Sequence, residues 1–241
     1  MKKLSILLCS LFFAAANLSA QNLQLHYDFG SAIYPDEEGD RQKATLTIEQ
    51  FKADDLGSWY YFVDLDATRQ GMTGAYTEIS REFNLGKQSP FAAHIELDGG
   101  VTVGKDNSYG ARFQPAALVG GAYNGHNADF STTYSLQLLY KQFFHGAGGE
   151  KAYSSAQLTG VWSTRFAQDK LTFAGFIDFW RGVQANGHGQ LVILSEPQLW
   201  YNANSHFSIG TEVELSNNFI VNYANDKKFF VNPTIALKYQ F

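Results

Sequence analysis

The chain ends on Phe229–Phe241, FFVNPTIALKYQF. Phe229, Val231, Pro233, Ile235, Leu237, Tyr239 and Phe241 alternate there with Phe230, Asn232, Thr234, Ala236, Lys238 and Gln240. A period of two is the strand period, because successive side chains of a strand point to opposite faces. One face is apolar up to the last residue and the other is mostly polar. Such a strand fits the core of a soluble sandwich, or the wall of a membrane barrel whose apolar face meets lipid.

Upstream, the same pattern recurs in segments about ten residues long, the length a tilted membrane-spanning strand needs. They are Leu23–Phe29, Ala44–Phe51, Ser58–Ala67, Ala75–Leu85, Phe91–Val103, Arg112–Tyr123, Phe130–Phe143, Ser155–Phe166, Leu171–Arg181, Leu191–Tyr201 and Phe207–Leu215. With the last strand they make twelve, an even number, as single-chain bacterial barrels have. In the sixth segment Pro115 and the pair Gly120-Gly121 predict a bulge. Connections after the first, ninth and eleventh segments are long; those after the second, fourth, eighth and tenth are short. That alternation suits short periplasmic turns and longer outer loops. The same orientation puts Trp59, Trp162 and Trp200 near periplasmic strand ends and Trp180 near an outer one, where interfacial aromatics settle. The expected fold is all-β: one antiparallel up-and-down transmembrane barrel of about twelve strands, over residues 21–241.

Residues 1–20 read as a signal peptide. Lys2 and Lys3 precede the apolar run Leu4–Ala16, and Leu18-Ser19-Ala20 supplies a cleavage site. The only cysteine, Cys9, lies in this leader, so residues 21–241 contain no disulfide and no thiolate metal site. No later apolar run approaches the length of a membrane helix. The formal charge of −5 and the absence of a basic stripe argue against nucleic acid as a partner. Aromatic residues at 15%, with 22 glycines and only 5 prolines, suit many strands and tight turns.

If the apolar face meets lipid, the polar face lines a lumen. Its acids are then Asp28, Glu49, Asp64, Asp66, Glu78, Glu82, Glu96, Asp98, Asp178, Glu196, Glu212 and Glu214, against the inward bases Lys141 and Lys238 and Arg181 at a rim. Such a lumen repels anions and admits cations or neutral polar solutes. Tyr60, Phe62 and Trp180 sit on the same face. Rings beside carboxylates suit a flat, hydroxyl-bearing solute, or simply pack the lumen. The expected pore-lining residues are therefore Asp28, Glu49, Tyr60, Phe62, Asp64, Asp66, Glu78, Glu82, Glu96, Asp178, Trp180 and Glu196, with no catalytic residue, cofactor or metal.

The terminal aromatic with apolar residues at every second position before it resembles the closing strand of bacterial outer-membrane barrels, where it serves as the signal to the barrel-assembly machinery. More specifically, ATLTIEQFKADDLGSWYYFVDLDA (residues 44–67), TEISREF (77–83), GFIDFW (175–180) and TIALKYQF (234–241) are similar in order and spacing to the Tsx-like, nucleoside-specific outer-membrane channels. The resemblance implies a monomeric twelve-stranded barrel in outer-membrane lipid, with a narrow pore that passes nucleosides. Glu49, Phe62, Asp64 and Glu78 fall within the matching segments.

Two other classes compete. An adhesive barrel would act through long outer loops, for which Gly30–Lys43 and Ser216–Lys228 are the candidates. A barrel-embedded enzyme needs a nucleophile and a base. Of the six histidines only His26 and His94 face inward, both beside carboxylates, and neither GxSxG nor HExxH occurs.

Overall fold

The computed structural model describes residues 21–39, 41–69, 71–87, 89–102, 114–146, 149–183, 187–220 and 228–241. The expected leader lies outside them, as do Val103, Arg112 and Phe113 of the expected strands. The elements are β1 (Gln21–Asp28), α1 (Gly30–Ile33), β2 (Ala44–Asp54), β3 (Gly57–Thr68), β4 (Gly71–Asn84), β5 (Phe91–Thr102), β6 (Ala116–His126), β7 (Thr132–Phe143), β8 (Tyr153–Phe166), β9 (Leu171–Val183), β10 (Gly189–Ser195), β11 (Gln198–Asn202), β12 (Phe207–Asn217) and β13 (Phe229–Gln240).

Every strand pairs antiparallel with its neighbours, and β1 returns to β13 from Asn22 opposite Gln240 to Asp28 opposite Thr234, which closes the barrel. Strands β10 and β11 are two halves of one stave. Both pair with β9 and β12, and the register runs on unbroken: Ser195 faces Ile177 and Gln198 faces Ala174. The ladder lapses at Glu196-Pro197 because proline has no N–H to donate. Glu196 still donates to the Phe176 carbonyl at 3.2 Å, and the Pro197 carbonyl accepts from Val213 at 3.0 Å. The barrel thus has twelve staves, as the alternation predicts.

The outer face carries the apolar set. Leu25, Leu97 and Leu138 are 51%, 58% and 68% exposed, which only lipid makes favourable at this density. Arg81 also points outward, but at the turn end of β4. It lies 5.1 Å from the Trp59 ring and bonds Asp54 twice at 2.8 Å, a geometry that keeps its charge at the interface.

Three expectations are corrected. The bulge is not in β6, whose ladders to β5 and β7 run without a shift; it lies in β3–β4, between Asp66 and Ala67. Pro115 precedes β6 instead of interrupting it, and Gly120 allows a close approach, since a Cβ there would lie 2.1 Å from the Leu138 carbonyl oxygen. Trp200 is no interface anchor: it points inward and is 1% exposed, whereas Trp59 and Trp162 do face outward. Trp180 faces inward over Lys141, as the alternation of its strand predicts. Finally, the loop after β1 does not project from the barrel but folds into its mouth.

The turns at the end where β1 begins and β13 ends are short. In the tightest, Asp55-Leu56, Asp54 Oδ1 accepts from the backbone of Leu56 and Gly57 at 2.9 and 3.0 Å. Gly57 has φ 153°, and a Cβ there would lie 2.0 Å from the Glu82 carbonyl oxygen. Gly57→Ala should therefore destabilise the β2–β3 hairpin by about 1–3 kcal/mol. The check is the urea midpoint of the barrel in lipid vesicles, which should fall.

Candidate functional site

All twelve expected pore-lining residues lie on the inner face. The ladders fix this: Glu49 is opposite Phe62, Asp64 opposite Tyr76, Glu78 opposite Asp98, Glu82 opposite His94, and Asp178 opposite Thr159. Pairs directly opposite share a face.

The lumen is organised around three groups. On β1–β4, Glu49 accepts from Asn22 at 2.9 Å and from the Tyr60 hydroxyl at 3.3 Å. Asp64 accepts from Thr47 at 2.5 Å, and Asp66 from Thr45 at 2.8 Å. The Tyr60, Phe62 and Tyr76 rings form a band, with centroids 6.1 and 5.9 Å apart, and the Tyr76 hydroxyl donates to Glu78 at 2.8 Å. Tyr76 is an addition to the expected set, although its place two residues before Glu78 puts it on the polar face.

On β5–β9 the wall is mixed. Ala116, Leu118, Leu139 and Phe143 form a buried apolar cluster against Tyr153 and Trp180. Lys141 stands beside it, 3.1 Å from Asp98 and 2.9 Å from Gln157, with its ammonium 5.1 Å from the Trp180 ring. Toward the turn end, His94 bridges Glu82 at 3.3 Å and Glu96 at 3.2 Å.

On β10–β13, Gln198 donates to Glu212 at 2.6 Å, while Glu196 lies within electrostatic range of Glu212, Glu214, Asp64 and Glu78. Lys238 meets neither Glu212 nor Glu214 directly. Its ammonium lies 3.9 Å from the Trp200 ring, and Trp200 in turn packs edge-on against His26 at 6.0 Å.

The mouth holds what the strand periodicity could not show. From Phe29 to Lys43 the chain turns inward and is clamped by Arg41, which contacts Asp28 at 3.0 Å, Glu38 at 3.3 Å and Glu214 at 2.7 Å. Asn232 donates to Glu38 at 3.2 Å, and Tyr34 packs edge-on against the fully buried Phe230 at 5.3 Å. Lys43 bonds Ser31 within the loop. Arg41 is thus a third inward base, supplied by a loop. Burial alone would lower its pKa, but Glu214, Asp28 and Glu38 outweigh burial and hold it above its ordinary range.

Glu38 is shifted the other way. Burial raises its pKa, opposed by Arg41 and reinforced by Glu214 and Asp28. The docked loop therefore holds a proton on Glu38 more readily than a free loop does. This contribution to docking is fully present below the ordinary carboxylate pKa and fades as pH rises through the raised value. Glu38 Oε2 and Asn232 Oδ1 both lack a hydrogen-bond donor, so the amide of Glu38→Gln supplies one that does not titrate. A spin label at exposed Asp36 should become more mobile from pH 5 to pH 8, and Glu38→Gln should flatten that change.

Over residues 20–241 the chain matches the family model described as Domain of unknown function (DUF5020). Among curated proteins nothing matches. Among solved structures, the NanC porin superposes with a TM-score of 0.58 at 11% identity, covering 92% of this chain and 100% of that one. The KdgM porin gives 0.48 at 11%, covering 92% and 98%. LpxR from Salmonella typhimurium gives 0.46 at 9%, covering 92% and 100%. At such identity the NanC likeness speaks for the fold, and it agrees with the closed, lipid-facing barrel built above: the fold is that of bacterial outer-membrane barrels. With its match spanning every described residue, the chain belongs to the DUF5020 family.

Proposed function

We propose that the protein is a passive outer-membrane channel for small polar solutes, selective against anions and suited to nucleosides. The observation that carries this reading is the inner wall. Nine of the twelve expected pore-lining positions bear a carboxylate, and Tyr60 and Phe62 stand beside them on the Tyr60–Phe62–Tyr76 band, while Lys141, Lys238 and Arg41 are the bases that meet this wall as described above. Uncompensated carboxylates in a narrow, low-dielectric passage exclude anions. The aromatic band offers a stacking surface to a flat solute, and its flanking carboxylates offer hydrogen bonds to sugar hydroxyls. Nucleosides are favoured by these features together with the resemblance to Tsx-like channels.

The adhesive reading loses one of its two candidate loops, Gly30–Lys43, which is spent on the mouth; most of the other, Ser216–Lys228, lies outside the described residues. For an enzyme, His26 offers no relay: Thr234 at 3.2 Å and Glu212 at 3.8 Å both approach Nδ1, while Nε2 faces Gln24. We take the barrel to act as a monomer in outer-membrane lipid, delivered by the barrel-assembly machinery through Phe241, without nucleic acid or cofactor.

The test is liposome swelling with the refolded protein and four solutes: adenosine, a pentose, a neutral disaccharide and a charged nucleotide. Adenosine should enter faster than the smaller pentose, and the nucleotide should be excluded. Equal entry of nucleotide and nucleoside would defeat the acidic-filter reading. Entry ranked by size alone would defeat the nucleoside reading and leave an unspecific pore.

A further inference from the structure

Glu78, Glu96 and Asp98 meet on the inner face where β4 pairs with β5. One carboxylate oxygen from each can be chosen so that all three lie within 4.8 Å of one another. Each carboxylate is also anchored from outside the group. Tyr76 donates to Glu78 Oε1 at 2.8 Å, His94 sits 3.2 Å from Glu96 Oε2, and Lys141 lies 3.1 Å from Asp98 Oδ2. Each therefore has one oxygen held by a neighbour outside the group.

For Asp98 the other oxygen is diagnostic. The residue is 8% exposed, and its Oδ1 is buried without a hydrogen-bond partner. A buried carboxylate oxygen in a residue grouped with two other carboxylates carries a full desolvation penalty unless something positive meets it. Lys141 cannot do so from where it stands. It is held on the other oxygen, Oδ2, and by Gln157, with the Phe143 and Trp180 rings each 5.1 Å from its ammonium.

We propose that Glu78, Glu96 and Asp98 form a binding site for a hard divalent cation of the Ca²⁺ class on the lumen wall. Three carboxylate oxygens without nitrogen or sulfur donors select a hard cation over a transition metal. The spacing fits. With Ca–O bonds of about 2.3–2.6 Å, two ligands can be no farther apart than roughly 4.6–5.2 Å. The lumen supplies the remaining ligands as water. The outer hydrogen bonds from Tyr76, His94 and Lys141 hold the carboxylates in place, as second partners of metal ligands do. Binding is a property of the folded barrel in detergent, so this site stands or falls independently of whether the barrel conducts nucleosides.

The test uses Tb³⁺, a luminescent ion with the ligand preference of Ca²⁺, on the refolded full barrel. Tyr76 and Trp180 lie close enough to sensitise its emission. Wild type should show saturable, one-to-one sensitised emission that Ca²⁺ displaces. Glu78→Gln and Asp98→Asn should each weaken binding by at least about tenfold, while Glu212→Gln, a lumen acid outside the group, should leave it within about twofold. Absence of Ca²⁺-displaceable emission in wild type would overturn the proposal, as would equal loss in Glu212→Gln. Should the acid variants fail to refold, Tyr76→Phe carries the test. It keeps every carboxylate but loses the phenol hydroxyl on Glu78, so it should lower the affinity; an unchanged affinity would overturn the site.

Discussion

Arg41→Ala should open the mouth of the barrel and raise single-channel conductance several-fold. Arg41 is the only base that touches Asp28, Glu38 and Glu214 among the described residues, and the side chains of these acids are 5%, 2% and 12% exposed. Removing one member of a buried ion cluster costs about 3–5 kcal/mol, because the remaining charges are left without a partner. The barrel wall cannot move to relieve that cost, since Asp28 and Glu214 are fixed in β1 and β12. The loop can, by carrying Glu38 out to water. The strain should therefore be released by undocking, with the twelve staves intact. Planar-bilayer recordings of Arg41→Ala and Arg41→Lys provide the check. Lysine keeps the charge but cannot reach three acids with a fixed fork, so it should fall between wild type and alanine. Wild-type conductance in Arg41→Ala would show that the loop does not limit the passage.

The second large effect concerns charge selection. Replacing Glu49, Asp64 and Glu78 together by Gln, Asn and Gln should reduce the preference for K⁺ over Cl⁻ on the order of tenfold, a typical size for the effect of a one-signed lining. These three carboxylates are held by neutral donors: Asn22 and Tyr60 on Glu49, Thr47 on Asp64, and Tyr76 on Glu78. Each contributes an uncompensated charge when ionised, and the amides keep the shape: their oxygens can still accept from Thr47 at position 64, from Tyr76 at position 78 and from one of the two donors at position 49. Reversal potentials in a salt gradient measure the change. An unchanged potential in a variant with native strand content would place the filter elsewhere, with the Glu196–Glu212–Glu214 group on the opposite wall as the next candidate.

Sequence made the walls of this barrel legible because a period of two leaves no freedom. Once Leu46 and Ile48 face lipid, Thr47 and Glu49 must face the lumen, and the short turns carry that assignment from each strand to the next. The residues that escaped are those for which periodicity carries no information. Arg41 lies in a loop, and nothing local says that its partners are Asp28 and Glu214. Trp200 reads as an interfacial aromatic by its position along the strand, yet it packs inward against Lys238 and His26. The Glu196-Pro197 lapse leaves the alternation untouched, so the stave reads as continuous. Gly120 signals a bulge in sequence but serves a close strand contact instead. In each case the deciding fact is which distant chain stands opposite.

The inward loop has a further consequence for how the protein is made. Its contacts join residues from opposite ends of the chain: Arg41 with Glu214, Glu38 with Asn232, and the Tyr34 hydroxyl with the backbone of Val231. None of these partners is at hand while the sheet is still an open ribbon, because β12 and β13 come beside the loop only once the seam to β1 has formed. Such long-range contacts form late. The clasp at the mouth is therefore the final act of assembly, and the passage narrows only in a molecule whose wall is already whole.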